Sequence, residues 1–184
     1  MLLASLAALA ASGCASTGVK TGARATSYAD YLIGRYADRS RDPVVAADRY
    51  ASALRKSPRD SMLIEGAAEA ALASGDVTAA ARFGRQAQAQ GVDNASGQLA
   101  RAAIALRGGR AKEARALVSD LDGAPAELLA ARLITVWSFA AQGDGTSALA
   151  DLGEESLPVR SPWAALQSYQ RAMVLDHLGR NDEA

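Results

Sequence analysis

Four alanines, Ala46, Ala80, Ala114 and Ala148, recur every 34 residues, and a fifth, Ala184, follows 36 residues later. Phase kept over that distance signals stacked helix–turn–helix units, each burying its apolar side against the next. A glycine stands five residues before four of these alanines, at Gly75, Gly109, Gly143 and Gly179. Glycine enters the left-handed conformation that ends a helix without a Cβ clash. An Asp or Asn close behind, as at Asp76 and Asp144, can cap the next helix. In the first unit Asp42-Pro43 supplies a capping carboxylate and a proline at the first helical position. Each alanine then falls in the opening turns of the second helix of its unit. A methyl group there lets the paired helix come close, and a larger side chain would force the two apart at about 1–3 kcal/mol.

From these signals the helices are expected at Tyr28–Arg39 and Pro43–Lys56, Ser61–Ser74 and Val77–Gln90, Ala95–Arg107 and Ala111–Leu121, and Pro125–Gln142 and Thr146–Leu152. A ninth runs from Ser161-Pro162 to Gly179. Residues 153–160 form a longer connection that absorbs the change of spacing. Hydrophobic residues make up 49% of the chain but aromatic ones only 5%, a mixture suited to closely packed helices. No alternating β-branched run argues for a strand.

The pattern resembles the tetratricopeptide repeat (TPR) family, which favours a small residue at repeat position 8, alanine at 20, a large apolar residue at 24, alanine at 27 and proline at 32. Counted from Ser27, the first unit supplies Gly34, Ala46, Tyr50, Ala53 and Pro58. The second keeps Ala68, Ala80 and Ala87 but has Gly84 at position 24 and Val92 at 32. The third keeps Ala102 and Ala114 with Val118; the fourth keeps Ala148 and Leu152 but has Val136 at position 8. The fifth shows Ala172 and Ala184. The resemblance implies an all-α, right-handed superhelical solenoid over residues 27–184, about four and a half repeats. Because a terminal repeat needs a polar capping helix, the array is expected to continue beyond residue 184. The alternative, an alanine-rich bundle, has no reason to hold the phase.

Residues 1–13 are apolar and uncharged, and too short to span a bilayer. Cys14, the single cysteine, follows at once. Ala11-Ser12-Gly13-Cys14 resembles a bacterial lipoprotein signal, which implies cleavage before Cys14 and its lipidation. Two features depart from that pattern. Leu9 stands five residues before the cysteine rather than three, and no Lys or Arg precedes Lys20, so Met1 need not be the true start. Residues 14–26 read as a flexible tether, and Ala15 after the cysteine resembles outer-membrane sorting. The expected location is the cell envelope, facing the periplasm. A secreted periplasmic chain without lipid is the alternative, and a leader helix that buries Cys14 is the plainer reading of the same residues.

Twenty basic and twenty acidic residues leave no net charge, so nucleic acid lacks an electrostatic reason to bind. One histidine, His177, cannot build a histidine metal site, and it is placed at a helix end. No glycine-rich phosphate loop follows a strand. Neither a cofactor, a metal nor a catalytic constellation is expected, and the chain is read as a non-enzyme.

In the TPR family, positions 2, 5, 9 and 12 of each first helix face a concave groove. The resemblance assigns Tyr28, Tyr31, Arg35, Met62, Glu65, Glu69, Leu99, Trp137, Tyr169 and Met173 to a peptide-binding surface of apolar and aromatic character. It implies a scaffold that binds a protein or peptide partner, anchored at Cys14. The Lys and Asn pair with which some members hold a C-terminal carboxylate is missing. The alternative is the substrate-presenting part of an enzyme, such as a glycosyltransferase, with its catalytic domain beyond residue 184. The repeat register predicts that Ala80→Leu or Ala114→Leu lowers the melting temperature more than Ala73→Leu near a helix end; equal melting of the three proteins would refute the register.

Overall fold

The computed structural model describes residues 23–152 and 162–183. Among them lie nine α-helices and no strand: α1 Ala23–Arg39, α2 Pro43–Lys56, α3 Ser61–Ala73, α4 Val77–Ala89, α5 Ala95–Arg107, α6 Ala111–Val118, α7 Pro125–Ala140, α8 Gly145–Ala150 and α9 Pro162–His177. A single 3-10 turn, Asn181–Glu183, follows. The leader, Cys14, most of the tether, the connection 153–160 and Ala184 lie outside the described residues. One boundary is corrected at the start: α1 begins at Ala23, inside the stretch expected to be tether.

Each helix packs on its neighbour in sequence, from α1 on α2 through α8 on α9. The odd-numbered helices also touch one another, α3 with α5, α5 with α7, and α7 with α9. No comparable contact joins the even-numbered helices among the described residues. The odd-numbered helices from α3 to α9 are therefore the closer-spaced set, here called the inner rank.

The turns are built as the residues dictate. Gly75, Gly109, Gly143 and Gly179 all have positive φ, as does Gly91 in the turn before α5. Arg41 holds the equivalent place in the first unit, five residues before Ala46, at φ 58°. A side chain in that conformation costs about 1–2 kcal/mol. Capping follows directly. The backbone N–H of Val45 donates to Asp42, Leu63 to Asp60, Ala79 to Asp76, Gly97 to Asn94 and Ser147 to Asp144, at 2.6–3.2 Å. Before α6 the capping position is Arg110, and no side chain caps that helix.

Ala46, Ala80, Ala114 and Ala148 are each 0% exposed. Around them the apolar core falls into three clusters, one over α1–α4 and one side of α5, one over α5–α7 and one centred on α7–α9. In the first cluster Tyr50 is held between two glycines. A Cβ at Gly34 would lie 3.1 Å from its ring, and one at Gly66 3.2 Å. Between the first and second clusters α4 crosses α5 backbone to backbone, because a Cβ at Gly84 would come within 2.6 Å of Gly97 carbonyl atoms. Gly84 departs from the repeat pattern, and Gly97 is its complement across the crossing.

One polar cluster ties α1 to α2. Asp30, 8% exposed, accepts from Lys56 Nζ at 2.7 Å, Ser52 Oγ at 2.9 Å and Arg49 at 3.5 Å. The Lys56 and Ser52 hydrogen bonds hold its carboxyl below the usual range despite burial.

Two glycine substitutions separate contact from conformation. Gly84→Ala gains about 1 kcal/mol of helix propensity but drives a methyl into a backbone that cannot yield, so a net loss of about 2 kcal/mol is expected. At Gly109 nothing stands within 4 Å of an added Cβ, and Gly109→Ala is expected to lose about 1 kcal/mol through its φ of 74° alone. Urea unfolding measures both; a Gly84→Ala protein as stable as wild type would exclude the backbone crossing.

Candidate functional site

On the inner rank a cavity of about 710 Å³ opens between α3, α5 and α7. Five carboxylates line it: Glu65 and Glu69 from α3, Asp93 before α5, Asp122 before α7, and Glu127 in the first turn of α7. No Lys or Arg lines it, while Leu72 and several alanines supply an apolar floor. Glu65 and Glu69 are one turn apart on the same helix face, which is why both reach one cavity. Glu127 is fixed from two sides. Its Oε1 accepts from Ser96 Oγ at 2.9 Å, and its Oε2 from the Ala124 backbone N–H at 2.9 Å. It thus caps its own helix and joins α7 to the start of α5. Asn94, 5% exposed, spends its Oδ1 on the Gly97 cap, and its Nδ2 has no hydrogen-bond partner.

Crowded like charges have a consequence at Glu69. Desolvation, then the charges of Asp38, Glu127 and Glu65, raise its pKa above the ordinary 4.5. A groove that resists a further negative charge is a place where a positive one is welcome.

Toward the start of the row the lining changes. Tyr28, Tyr31 and Met62 share a second cavity of about 320 Å³ with Ser27 and Asp60. Tyr28 and Tyr31 stand 6.3 Å apart, and Tyr31 lies 6.2 Å from the buried ring of Tyr50. Arg35 donates to the Tyr31 hydroxyl at 2.8 Å, with its guanidinium 5.8 Å from the ring centre. Tyr31 is thereby held in one pose, half-buried, while Tyr28 and Met62 are 62% and 60% exposed.

The residues assigned to the groove from sequence therefore divide. Tyr28, Tyr31 and Met62 come together with Arg35 beside them, and Glu65 and Glu69 come together in the larger cavity. Leu99 is 4% exposed and belongs to the α5–α7 core, so it offers a ligand no surface. Trp137 is half-buried; its indole N–H donates to Gln170 at 2.8 Å and its ring meets the edge of His177 at 5.8 Å. These are contacts between α7 and α9. Tyr169 and Met173, 60% and 39% exposed, are on α9 away from both cavities.

Asp93, Asp122 and Glu127 were not among the expected site residues. Two of them lie in turns, which a register of helix positions passes over. Glu127 lies in an added turn, since α7 starts at Pro125 while the fourth repeat is counted from Leu129. The Asp122-Gly123 break followed by Pro125 places the start of α7 at Pro125, but the groove positions are counted from Leu129. The surface is consequently more acidic than the expected apolar and aromatic face.

Among the described residues no group of three or more His, Cys, Asp or Glu side chains is placed to hold a metal ion. Searches against protein-family models, curated proteins and solved structures returned no match.

The raised pKa of Glu69 fixes the sign of a pH effect. In the window above 4.5 the folded chain binds more protons than the unfolded one, so stability falls as pH rises through that window. Glu69→Gln is expected to raise the melting temperature at pH 7 and to leave it unchanged below pH 4, where the glutamate is protonated in both states. A Gln variant less stable than wild type at pH 7 would contradict the repulsion.

Proposed function

We propose that this chain is a TPR-like scaffold of the bacterial cell envelope, anchored by lipid at Cys14, whose groove binds a segment of a partner protein. The carrying observation is the inner-rank cavity itself, with five carboxylates, no base and an apolar floor, followed by a cavity edged by tyrosines. Tyrosine anchors bury much area at small entropic cost. Carboxylates around a concave surface attract and orient an approaching cation. The occupant that suits both is an extended or helical segment carrying Lys or Arg together with an aliphatic or aromatic side chain.

The 34-residue phase, the buried alanines and the two ranks of helices support the repeat reading. The lipid anchor rests on the sequence around Cys14 alone, and acylation of that cysteine is read directly by mass spectrometry of the protein from membranes.

The groove is tested with two labelled helical peptides, one built of Lys and Leu and the other of Glu and Leu. The basic peptide is expected to bind, and the acidic one not. Glu65→Gln/Glu69→Gln should weaken the basic peptide about tenfold, about 1.4 kcal/mol, and added salt should weaken it in wild type more than in the variant. Equal affinity for the two peptides, or an unchanged affinity in the variant, would remove the groove from the proposal.

A further inference from the structure

α1 carries an exposed apolar surface of which the scaffold reading uses only Tyr28, at its edge. At 100° per residue, Tyr28, Leu32, Tyr36 and Ile33 occupy an arc of about 140° on the side away from the buried Asp30, Gly34 and Ala37. They are 62%, 48%, 75% and 46% exposed. With Val44 and Val45 of α2, six of the ten exposed large apolar residues among the described ones belong to this first hairpin. An apolar surface gathered at one place marks a contact rather than chance exposure.

Along α1 the charges that adjoin the arc are basic. Arg39 falls within the apolar arc and Arg35 at its edge, and both line a shallow depression with Leu32, Tyr36 and Tyr31. The acids of α1 are elsewhere. Asp30 is engaged by Lys56, Ser52 and Arg49. Asp38 falls on the opposite side of the helix, where its charge acts on Glu69. Tyrosines with an apolar body and a polar tip, aliphatic side chains, and arginines with apolar stems are the chemistry of a bilayer interface. A second copy is a poorer occupant, since a two-fold contact would set this cationic face against itself.

Distance favours the same occupant. Cys14 stands nine residues before Ala23, a span of at most about 30 Å. An acyl chain there would hold α1 next to the membrane, so that even a weak interfacial contact becomes intramolecular. No described helix is long and apolar enough to cross a membrane, so the contact is with the surface.

We propose that the exposed face of α1, through Leu32, Ile33 and Tyr36 with Arg39, lies on an anionic phospholipid surface. This rests on the reading of Cys14 as the anchor. It turns Asp38 and the carboxylate groove behind it away from the lipid, toward partners.

The test uses the full chain with Cys14→Ser in every arm, so that acylation plays no part and the leader contributes equally throughout. Flotation with phosphatidylglycerol–phosphatidylethanolamine vesicles is expected to recover the protein, and with phosphatidylcholine vesicles far less. Leu32→Asp/Tyr36→Asp should lower recovery tenfold or more and Arg39→Glu several-fold, with helical circular dichroism unchanged. A second arm places the sole cysteine on the face, as Tyr36→Cys, and couples it to an environment-sensitive fluorophore. A blue shift on anionic vesicles is expected. Unchanged recovery of the double variant together with no shift would overturn the proposal. So would a dimer in sedimentation that the double variant converts to monomer, because the face would then belong to a second copy. Absence of acylation on wild-type Cys14 would remove the anchor, whatever the vesicles show of the face.

Discussion

Two helices can approach only as closely as the smallest side chains between them permit, and this chain is organised around that limit. Ala46, Ala80, Ala114 and Ala148 are fully enclosed although a methyl group contributes little apolar area. Their value is in what they leave out. Close axes let larger residues beyond the crossing meet, as Tyr50 does between Gly34 and Gly66. At Gly84 and Gly97 even the methyl is gone. The inner rank then lies tight enough for α3, α5 and α7, with the turns before α5 and α7, to share one cavity.

Much of the fold could be read from turn chemistry. A capping Asp or Asn places the starts of α2, α3, α4 and α5 where the residues predict them, after a glycine with positive φ at α4 and α5 and after Arg41 at α2. The ends were less legible. α6 stops at Val118 rather than Leu121, and α7 at Ala140 rather than Gln142, because no single residue forbids another helical turn there. The start of α1 was missed for the opposite reason. Residues 23–26 are small and polar, and composition alone suggested a tether where the structure has a helix.

The candidate site was half legible. A register of helix positions finds side chains that project from helices, and of those it named, Tyr28, Tyr31 and Met62 share one cavity and Glu65 and Glu69 another. It cannot see which helix has been extended or which turn reaches inward, so Glu127, Asp93 and Asp122 escaped it. Nor does it distinguish a position facing a ligand from one facing the next helix, which is the case of Leu99. The zero net charge was similarly uninformative, since it averages an acidic groove with the cationic border of α1.

The division of the core into three clusters bears on how the chain comes apart. Among the described residues no one apolar nucleus touches all nine helices; each cluster is shared between helices that follow one another. Cooperativity must then be handed along the row, and the glycine crossing between α4 and α5 is a joint where backbone contact carries it. Helices flanked by packed neighbours on both sides are the better protected part of such an arrangement.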